Sequence, residues 1–300
     1  MDNSKNLTDE LNFVLCPSFH GASLLSILLN NHPRILSLGD TAPTKSSLNF
    51  FCSCGQTIEK CEFWQLIEST QAHYSHKKEK HLFPITPNLK IGIVERLNRL
   101  AFGYNTFLSP WVFYSHAGRQ FERSVSLFIE VALAYHKKSI FVDGTKDINR
   151  CLSIINLKKK KVRVIHLIRD PRGYFLSMRK NLPENKVTPD TTIKTWKGFH
   201  SLALHYFVET NKCSYLPVYY ERLSSDPKSE MERIFKFLGV DYSDVLQKPL
   251  DPHHIIGNKM LLNFKGDIQQ DLEWQQSLTC TEQKQILADC DPLSSLFHYN

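Results

Sequence analysis

The chain has 300 residues, 42% hydrophobic and 22% charged, and its 37 basic and 30 acidic side chains give a net charge of +7. This is the composition of an ordinary globular protein with a large core. No apolar run approaches the ~20 residues of a membrane span, and the polar N-terminus lacks the pattern of a secretory signal. We therefore expect a cytoplasmic protein without a transmembrane segment. The positive charge favours anionic ligands, but the lysine run at residues 158–161 has few aromatic neighbours and does not indicate nucleic-acid binding.

The first predicted unit is a strand, a loop of small residues and a helix. Residues 11–15 (LNFVL) form a short apolar run typical of a buried strand, and LLSILLNN predicts a helix that ends before Pro33. The loop between them, residues 16–23, reads CPSFHGAS. A strand that leads through small residues into a helix is typical of a phosphate-binding loop, and a plain strand–helix unit is the alternative. The nucleotide-triphosphatase motif is absent, because this loop has one glycine and no lysine.

Two further strands and a helical region follow. Residues 34–38 (RILSL) predict a strand that ends at Asp40, and residues 139–142 (SIFV) predict a strand followed by a sharp turn that ends at Lys146. Residues 63–138 are expected to be mostly helical and to line the core or a pocket. Apolar residues recur there at helical spacing in two stretches, residues 91–102 and 117–136.

The stretch KVRVIHLIRDPRGYFLSMRK, residues 161–180, is the most informative part of the chain. Its β-branched run predicts a buried parallel strand, and Asp170 followed by Pro171 predicts the start of a helix. Such a strand–helix turn presents free N–H groups to an anion. Arg169 at the strand end and Ser177 two turns into the helix are candidates to bind one phosphate. The alternative is a surface ion pair between Arg169 and Asp170.

The last third of the chain continues the alternation of helices and strands. We expect a helix over residues 191–210, a strand over residues 215–220 and a helix that begins at Asp226 and closes at Gly239. Pro217 inside that strand indicates an edge position or an irregularity. The alternation predicts an α/β fold with a doubly wound, mostly parallel sheet flanked by helices. Without a repeat or an obvious linker, residues 1–300 are expected to form a single domain.

Three of the eight cysteines form a cluster in the segment FFCSCGQTIEKCEFW: Cys52, Cys54 and Cys61. Three thiols can bind zinc together with a fourth ligand, or two of them can pair as a disulfide. No fourth ligand lies close in sequence, although His73 and His76 follow further along. In a reducing compartment free thiols are the default, so we expect a structural turn and no metal.

Taken together, the motifs resemble those of sulfotransferases that use 3′-phosphoadenosine 5′-phosphosulfate (PAPS), in the bacterial and carbohydrate-type branch with a P-loop-like fold. The resemblance covers nearly the whole chain, and it is specific through the order and spacing of its segments. They are CPSFHGASLL with NNHPRI, SLGD, CSCG with CEFW, VDGTKDINR, HLIRDPRGYFLSMRK, VYYERL, and HHIIGNKM followed by DLEW.

The resemblance implies a set of ligands for the donor. The 5′-phosphosulfate would lie on the first loop, and the 3′-phosphate would lie at Arg169 and Ser177. The first loop contributes Ser18, Phe19, His20, Gly21, Ala22, Ser23 and Leu24, with backbone N–H groups from Gly21, Ala22 and Ser23 and the hydroxyl of Ser23. The segment after HHIIGN adds Lys259, Lys265 and Gly266. Lys146 is the candidate cation for the sulfuryl group, and Asp40 in SLGD is the candidate base.

Two positions depart from the family pattern. Phe19 stands where family loops usually carry arginine or lysine, with His20 beside it, and Leu261 stands where an arginine is usual. The missing charge would then come from His20, Lys146 and Lys259, which makes His20 the third catalytic candidate.

The resemblance implies transfer of a sulfuryl group to a hydroxyl or amine, with PAPS as co-substrate and without a metal. The acceptor would be a small molecule, a glycan or a lipid-linked compound, bound by the helical region over residues 63–138. The lost cations leave open an alternative, a non-catalytic protein that binds 3′-phosphoadenosine nucleotides through a degenerate site. A nucleotide kinase of related fold is disfavoured, because the first loop lacks its lysine.

Overall fold

A computed structural model of the chain describes residues 10–40, 51–74, 116–157, 161–183, 187–211, 213–244, 253, 255 and 266–300. These residues contain a five-stranded parallel sheet. Its strands are β1 (Glu10–Leu15), β2 (Ile35–Leu36), β3 (Ile140–Asp143), β4 (Lys161–Ile168) and β5 (Ser214–Tyr219). They lie in the order β2-β3-β1-β4-β5, so the chain builds first one side of β1 and then the other. The predicted doubly wound α/β fold is confirmed.

The helices confirm the predicted alternation and refine its boundaries. The helix expected over residues 191–210 begins two residues earlier and ends in a π-helical turn, His205–Glu209. The expected helix over residues 91–102 lies outside the described residues. The described helices are α1 (Ala22–Asn30), α2 (Glu62–Tyr74), α3 (His116–His136), α4 (Ile148–Leu157), α5 (Pro171–Asn181), α6 (Pro189–Leu204), α7 (Tyr220–Ser225), α8 (Pro227–Leu238), α9 (Trp274–Ser277), α10 (Cys280–Cys290) and α11 (Leu293–Leu296).

The two faces of the sheet carry separate cores, because successive side chains of a strand point to opposite faces. Leu11, Phe13 and Leu15 of β1 pack on one face, with residues of α2, α3 and α4. Val14 packs on the other face, with residues of α1 and α8. A third apolar cluster joins α5 and α6 to the C-terminal helices, with Trp196 fully buried at its centre.

The start of α5 follows the predicted capping pattern. The carboxylate of Asp170 accepts a hydrogen bond from the backbone N–H of Arg172 at 2.8 Å, and Pro171 occupies the first helical position. The same arrangement recurs at α8, where the carboxylate of Asp226 accepts from the N–H of Ser229 at 3.2 Å. Local sequence therefore fixes where both helices begin.

Among the described strands, β5 lies at one outer edge of the sheet, as Pro217 predicts. Pro217 has no N–H group to donate, and its carbonyl oxygen accepts a hydrogen bond from Nη2 of Arg233 in α8 at 2.6 Å. The proline is therefore accommodated at the edge without a break in the pairing with β4.

None of the helices that the structure describes is both long enough and apolar enough to cross a membrane.

Candidate functional site

The candidate residues lie where the parallel strands end. The first loop follows β1, Asp40 follows β2, Lys146 follows β3, Arg169 follows β4 and Tyr220 follows β5. Because the carboxyl ends of parallel strands share one edge of the sheet, these five elements face the same crevice. The direction of strand addition reverses at β1, which is where open α/β sheets bind their ligands.

The first loop delivers the N-terminus of α1 to this edge. Gly21 is the N-cap residue, and the first turn of α1 contains no acidic residue. Ala22 and Ser23 are half-buried there, while the Leu24 side chain belongs to the core. The leading N–H groups of a helix have no partner within the helix, so this terminus is suited to an anion. Ser18 earlier in the loop is exposed.

Tyr220 packs against Gly21 and Arg169 and thereby connects the first loop to the ends of β4 and β5. The guanidinium carbon of Arg169 lies 4.4 Å from the centre of the Tyr220 ring, within cation–π range. A methyl group added to Gly21 would lie 2.4 Å from Cδ2 of Tyr220, closer than any real contact. Gly21 also has a φ of +85°, which L side chains disfavour. Glycine is therefore required at this position.

We expect Gly21→Ala to destabilise the protein more than a glycine-to-alanine replacement that causes backbone strain but no steric clash. Gly239→Ala is the matched control, because Gly239 has a φ of +77° and a methyl there would meet only Arg163, at 3.8 Å. The control should cost about 1–2 kcal/mol, and Gly21→Ala a further ~1–3 kcal/mol for the clash. Urea unfolding measures both. Equal losses in the two variants would show that Tyr220 does not confine Gly21.

Arg169 is almost fully buried, and its guanidinium is held by two partners. Nη1 donates to the carbonyl oxygen of Phe19 at 2.6 Å, and Nη2 donates to a carboxylate oxygen of Asp271 at 2.7 Å. The alternative of an Arg169–Asp170 surface pair is therefore wrong. Asp170 instead pairs with Arg172 at 2.7 Å, while it caps α5. Arg169 thus links the first loop to the segment that precedes α9.

The remaining predicted ligands of the 3′-phosphate are less well defined. Ser177 is half-buried two turns into α5, and no described hydrogen bond joins its hydroxyl to Arg169. Gly266 is described and has a φ of +98°. Lys259 and Lys265 lie outside the described residues, as does Leu261.

Lys146 is presented by a turn that a buried ion pair supports. The two carboxylate oxygens of Asp143, at the end of β3, accept from the N–H of Thr145 at 3.0 Å and from Nε of Arg150 at 2.8 Å. This pair is almost fully buried. Lys146 follows with a φ of +63°, a left-handed conformation that is uncommon for a residue with a side chain.

Lys146 and Asp40 form an ion pair across the crevice. Their Nζ and Oδ2 atoms are 2.9 Å apart, and the side chains are 20% and 51% exposed. Burial acts to lower the pKa of Lys146, but the carboxylate of Asp40 outweighs it and the pKa is raised, so the ammonium stays charged. The loops meet backbone to backbone, since a methyl on Gly144 would lie 2.6 Å from the oxygen of Gly39. The two catalytic candidates are thus brought together.

His20 occupies a different setting from the one expected for a cation. It is fully buried, and burial lowers its pKa to about 3. Its Nδ1 lies 3.0 Å from the carbonyl oxygen of Ser18, and its Nε2 lies 3.2 Å from Nε2 of His200. A neutral imidazole with both nitrogens in hydrogen bonds supplies no positive charge. This geometry supports a structural role for His20.

His20 begins a chain of hydrogen bonds with a single direction. A carbonyl only accepts, so His20 must carry its proton on Nδ1 and must accept at Nε2. His200 then donates from Nε2 and accepts at Nδ1 from Nε2 of His166, at 2.7 Å. His166 in turn accepts at Nδ1 from the hydroxyl of Tyr215, at 2.5 Å. We therefore assign all three tautomers, and the chain links the first loop to β5.

The buried histidines predict a loss of stability in acid. In the unfolded chain they bind protons below about pH 6.5, whereas burial lowers the pKa of His20 and of His166 to about 3 and that of His200 well below its ordinary value. The unfolded state thus binds more protons in this window, and the free energy of unfolding decreases as the pH is lowered, by up to about 1.4 kcal/mol per pH unit for each histidine.

Urea unfolding between about pH 7.5 and pH 5.5 tests this prediction, in a range where ordinary carboxylates stay ionised. His200→Asn should show a shallower dependence on pH than the wild type. His205→Gln is the control, because His205 is exposed, and it should keep the wild-type dependence. The same dependence in all three proteins would contradict the assignment.

Sequence reasoning missed two residues of this site, Tyr220 and Asp271. Both lie in segments that carried the family resemblance, VYYERL and DLEW. Both contact Arg169, which lies 51 positions before Tyr220 and 102 positions before Asp271 in the chain. The resemblance therefore marked the segments, and only the fold shows what they contact.

Comparison with known proteins gives a consistent result. A family model described as "Sulfotransferase family" matches residues 21–244. The sulfotransferase domain of the olefin synthase from Synechococcus PCC 7002 is 19% identical, with a TM-score of 0.55, over 97% of this chain and 95% of that chain. The sulfotransferase domain from the curacin biosynthetic pathway is 13% identical, with a TM-score of 0.47, over 97% and 98%. No curated protein matches significantly. The olefin synthase domain shares the fold.

Proposed function

Because this chain belongs to the sulfotransferase family, we propose that it transfers a sulfuryl group from PAPS to a hydroxyl or amine of an acceptor. Family membership supports sulfuryl transfer in general. The observation that carries the choice of donor is the charge at the sheet edge. The N-terminus of α1, Lys146 and Arg169 lie around the first loop. Burial is the main cause of the lowered pKa of His20, and the nearby positive charges of Arg169 and Lys146 lower that pKa further. A nucleoside that carries phosphate groups on both the 3′ and the 5′ oxygen of its ribose fits this arrangement.

The geometry suggests a division of roles between Lys146 and Asp40. The acceptor oxygen or nitrogen attacks sulfur in line, and the bond between sulfur and the bridging phosphate oxygen breaks. Asp40 takes the acceptor proton, while Lys146 and the N–H groups of α1 stabilise the negative charge on the leaving phosphate. The 2.9 Å separation of Nζ of Lys146 and Oδ2 of Asp40 supports this division of roles, because both groups could then act on one reacting centre. The step needs no covalent intermediate.

Arg169 is our proposed ligand for the 3′-phosphate, with Ser177 as a second donor and Lys259 and Lys265 as further cations. Arg169 is already oriented by Phe19 and Asp271. A phosphate would compete with the Asp271 carboxylate for the guanidinium, since both are anions that accept from the same N–H groups. Binding of the donor would then release the segment that carries Asp271.

The departure at Phe19 bears on catalytic strength. Phe19 offers its backbone carbonyl to Arg169 but no charge, and His20 is neutral. Lys146 therefore has to supply the positive charge near the leaving oxygen. A non-catalytic protein that binds 3′-phosphoadenosine nucleotides is the second candidate, and the engagement of Lys146 by Asp40 is the observation that favours it.

Transfer of radiolabelled sulfuryl from PAPS to a mixed panel of alcohols, amines, glycans and lipid-linked compounds tests the proposal. Labelled product together with 3′-phosphoadenosine 5′-phosphate is the expected result. Tight binding of that nucleotide without product across the panel supports the second candidate. Absence of nucleotide binding, or a requirement for magnesium and a phosphorylated product, would contradict both.

A further inference from the structure

Three cysteines and a histidine, residue types that can bind metal ions, form a cluster beside the start of α2. The sulfur atoms of Cys52, Cys54 and Cys61 and a ring nitrogen of His253 all lie within 4.8 Å of one another. From the sequence we expected no metal here, because no fourth ligand is close in the chain and thiols stay free in a reducing compartment. His253 follows Cys61 by 192 positions, and the fold supplies it.

The backbone around the cluster is organised by hydrogen bonds independent of the thiols. Residues 51–57 form a tight hairpin, closed by the bridge between Phe51 and Thr57 and by the bond from the N–H of Cys52 to the oxygen of Gln56, at 2.8 Å. A 3₁₀ turn, Ile58–Lys60, then brings Cys61 to the start of α2. The three thiols therefore converge through local structure.

His253 is held in place by the neighbouring backbone and by aromatic side chains. An antiparallel bridge joins Ile255 to Cys52, which places the histidine beside the hairpin. The ring of His253 lies 5.2 Å from the ring of Phe63 and 5.4 Å from that of Tyr135. His253 has a φ of +85°, a strained conformation for a residue with a side chain. Such strain is typical of functional positions.

The spacing of the four atoms matches a tetrahedral zinc site. With bonds of about 2.3 Å to sulfur and about 2.0 Å to nitrogen, zinc holds two sulfurs about 3.8 Å apart and a sulfur and a nitrogen about 3.5 Å apart. Sγ of Cys61 lies 3.7 Å from Sγ of Cys54 and 3.6 Å from Sγ of Cys52. Nδ1 of His253 lies 3.1 Å from Sγ of Cys61 and 3.7 Å from Sγ of Cys52.

We infer that Cys52, Cys54, Cys61 and His253 bind one zinc ion. Four protein ligands leave no open position, so the site is structural. A disulfide explains the arrangement less well, because bonded sulfurs lie about 2.05 Å apart and the third thiol and the imidazole would have no role. The ion would fasten the hairpin and the start of α2 to the backbone at Ile255. Cys52 and Cys61 belong to the core on the α2 side of the sheet, so the ion would stabilise that core.

Metal analysis of the full chain, purified from zinc-supplemented cells without chelators, tests this inference. We expect one zinc per chain in the wild type. Cys54→Ser removes an exposed ligand, and Cys280→Ser is the matched control, because Cys280 is also an exposed free cysteine but lies in α10. The zinc affinity of Cys54→Ser should fall by more than ~10–100-fold, which is the usual loss when only a hydrogen-bond partner of a metal ligand is removed. The control should keep its zinc.

Three further measurements remain decisive if Cys54→Ser does not fold. His253→Gln should also lose zinc. In the wild type, cobalt(II) exchanged for zinc should give the visible absorption of a tetrahedral thiolate site, and a chelator should lower the melting temperature. A folded wild type without zinc that gives no such cobalt spectrum, or equal zinc in Cys54→Ser and Cys280→Ser, would overturn the inference. None of these readouts depends on sulfuryl transfer.

Discussion

Lys146→Ala and Asp40→Asn should each lower turnover by at least about 100-fold, the usual scale for one electrostatic donor or one base. Lys146→Ala should also weaken binding of the nucleotide, because its ammonium contacts the phosphosulfate in the proposed complex. Asp40→Asn should leave nucleotide binding intact, because the carboxylate acts on the acceptor. Turnover at saturating PAPS, together with calorimetry of the product nucleotide, separates the two effects.

The chain offers a matched control pair for this experiment. Lys194 and Asp190 form an exposed ion pair in α6 with an Nζ–Oδ2 distance of 2.8 Å, similar to that of Lys146 and Asp40. Lys194→Ala and Asp190→Asn change the net charge equally and should leave turnover unchanged. Near-normal turnover in Asp40→Asn would remove Asp40 as the base. Equal loss of nucleotide binding in both site variants would show that the pair is structural.

Arg169→Ala should weaken binding of 3′-phosphoadenosine 5′-phosphate by about 2–4 kcal/mol, roughly 30- to 900-fold, because a desolvated charged contact is broken. Adenosine 5′-phosphosulfate lacks the 3′-phosphate, so its affinity should scarcely change. This second nucleotide also detects any disturbance of the first loop, since Arg169 donates to the carbonyl of Phe19. Calorimetry with both nucleotides measures the difference.

Two companion variants sharpen the assignment of Arg169. Arg179→Ala removes the same charge from an exposed position of α5 and should leave both affinities unchanged. Asp271→Asn removes the carboxylate that competes for the guanidinium and should tighten binding of the 3′-phosphorylated nucleotide. An equal loss of affinity for both nucleotides in Arg169→Ala would contradict the assignment of Arg169 to the 3′-phosphate. Weaker nucleotide binding in Asp271→Asn would show that Asp271 supports the site.

The parts of the structure that sequence predicts well are those set by near neighbours in the chain. Apolar β-branched runs identify the strands, and Asp170 with Pro171 identifies the start of α5, because capping acts over two or three residues. The meeting of Asp40 and Lys146 also follows, since both end parallel strands on one edge. The family resemblance then adds expected roles that no local pattern supplies.

What sequence did not predict depends on contacts between distant residues. The bond from His20 to His200 spans 180 positions, and the one from Arg169 to Asp271 spans 102. Sequence alone does not show whether a histidine in such a loop is charged, and only its burial shows that His20 is neutral. His253 was likewise hidden, because its distance from the cysteines along the chain gives no spacing pattern.

The outer edge at β5 has a consequence for how this protein behaves at high concentration. An exposed strand edge normally offers alternating donors and acceptors on which another polypeptide can continue the sheet. At the middle of β5 the donor is absent, because residue 217 is proline, and the acceptor is occupied by Arg233. A strand from a second molecule would lose both bonds at that point, so sheet-to-sheet aggregation through this edge is discouraged even while neighbouring chains are crowded together during synthesis.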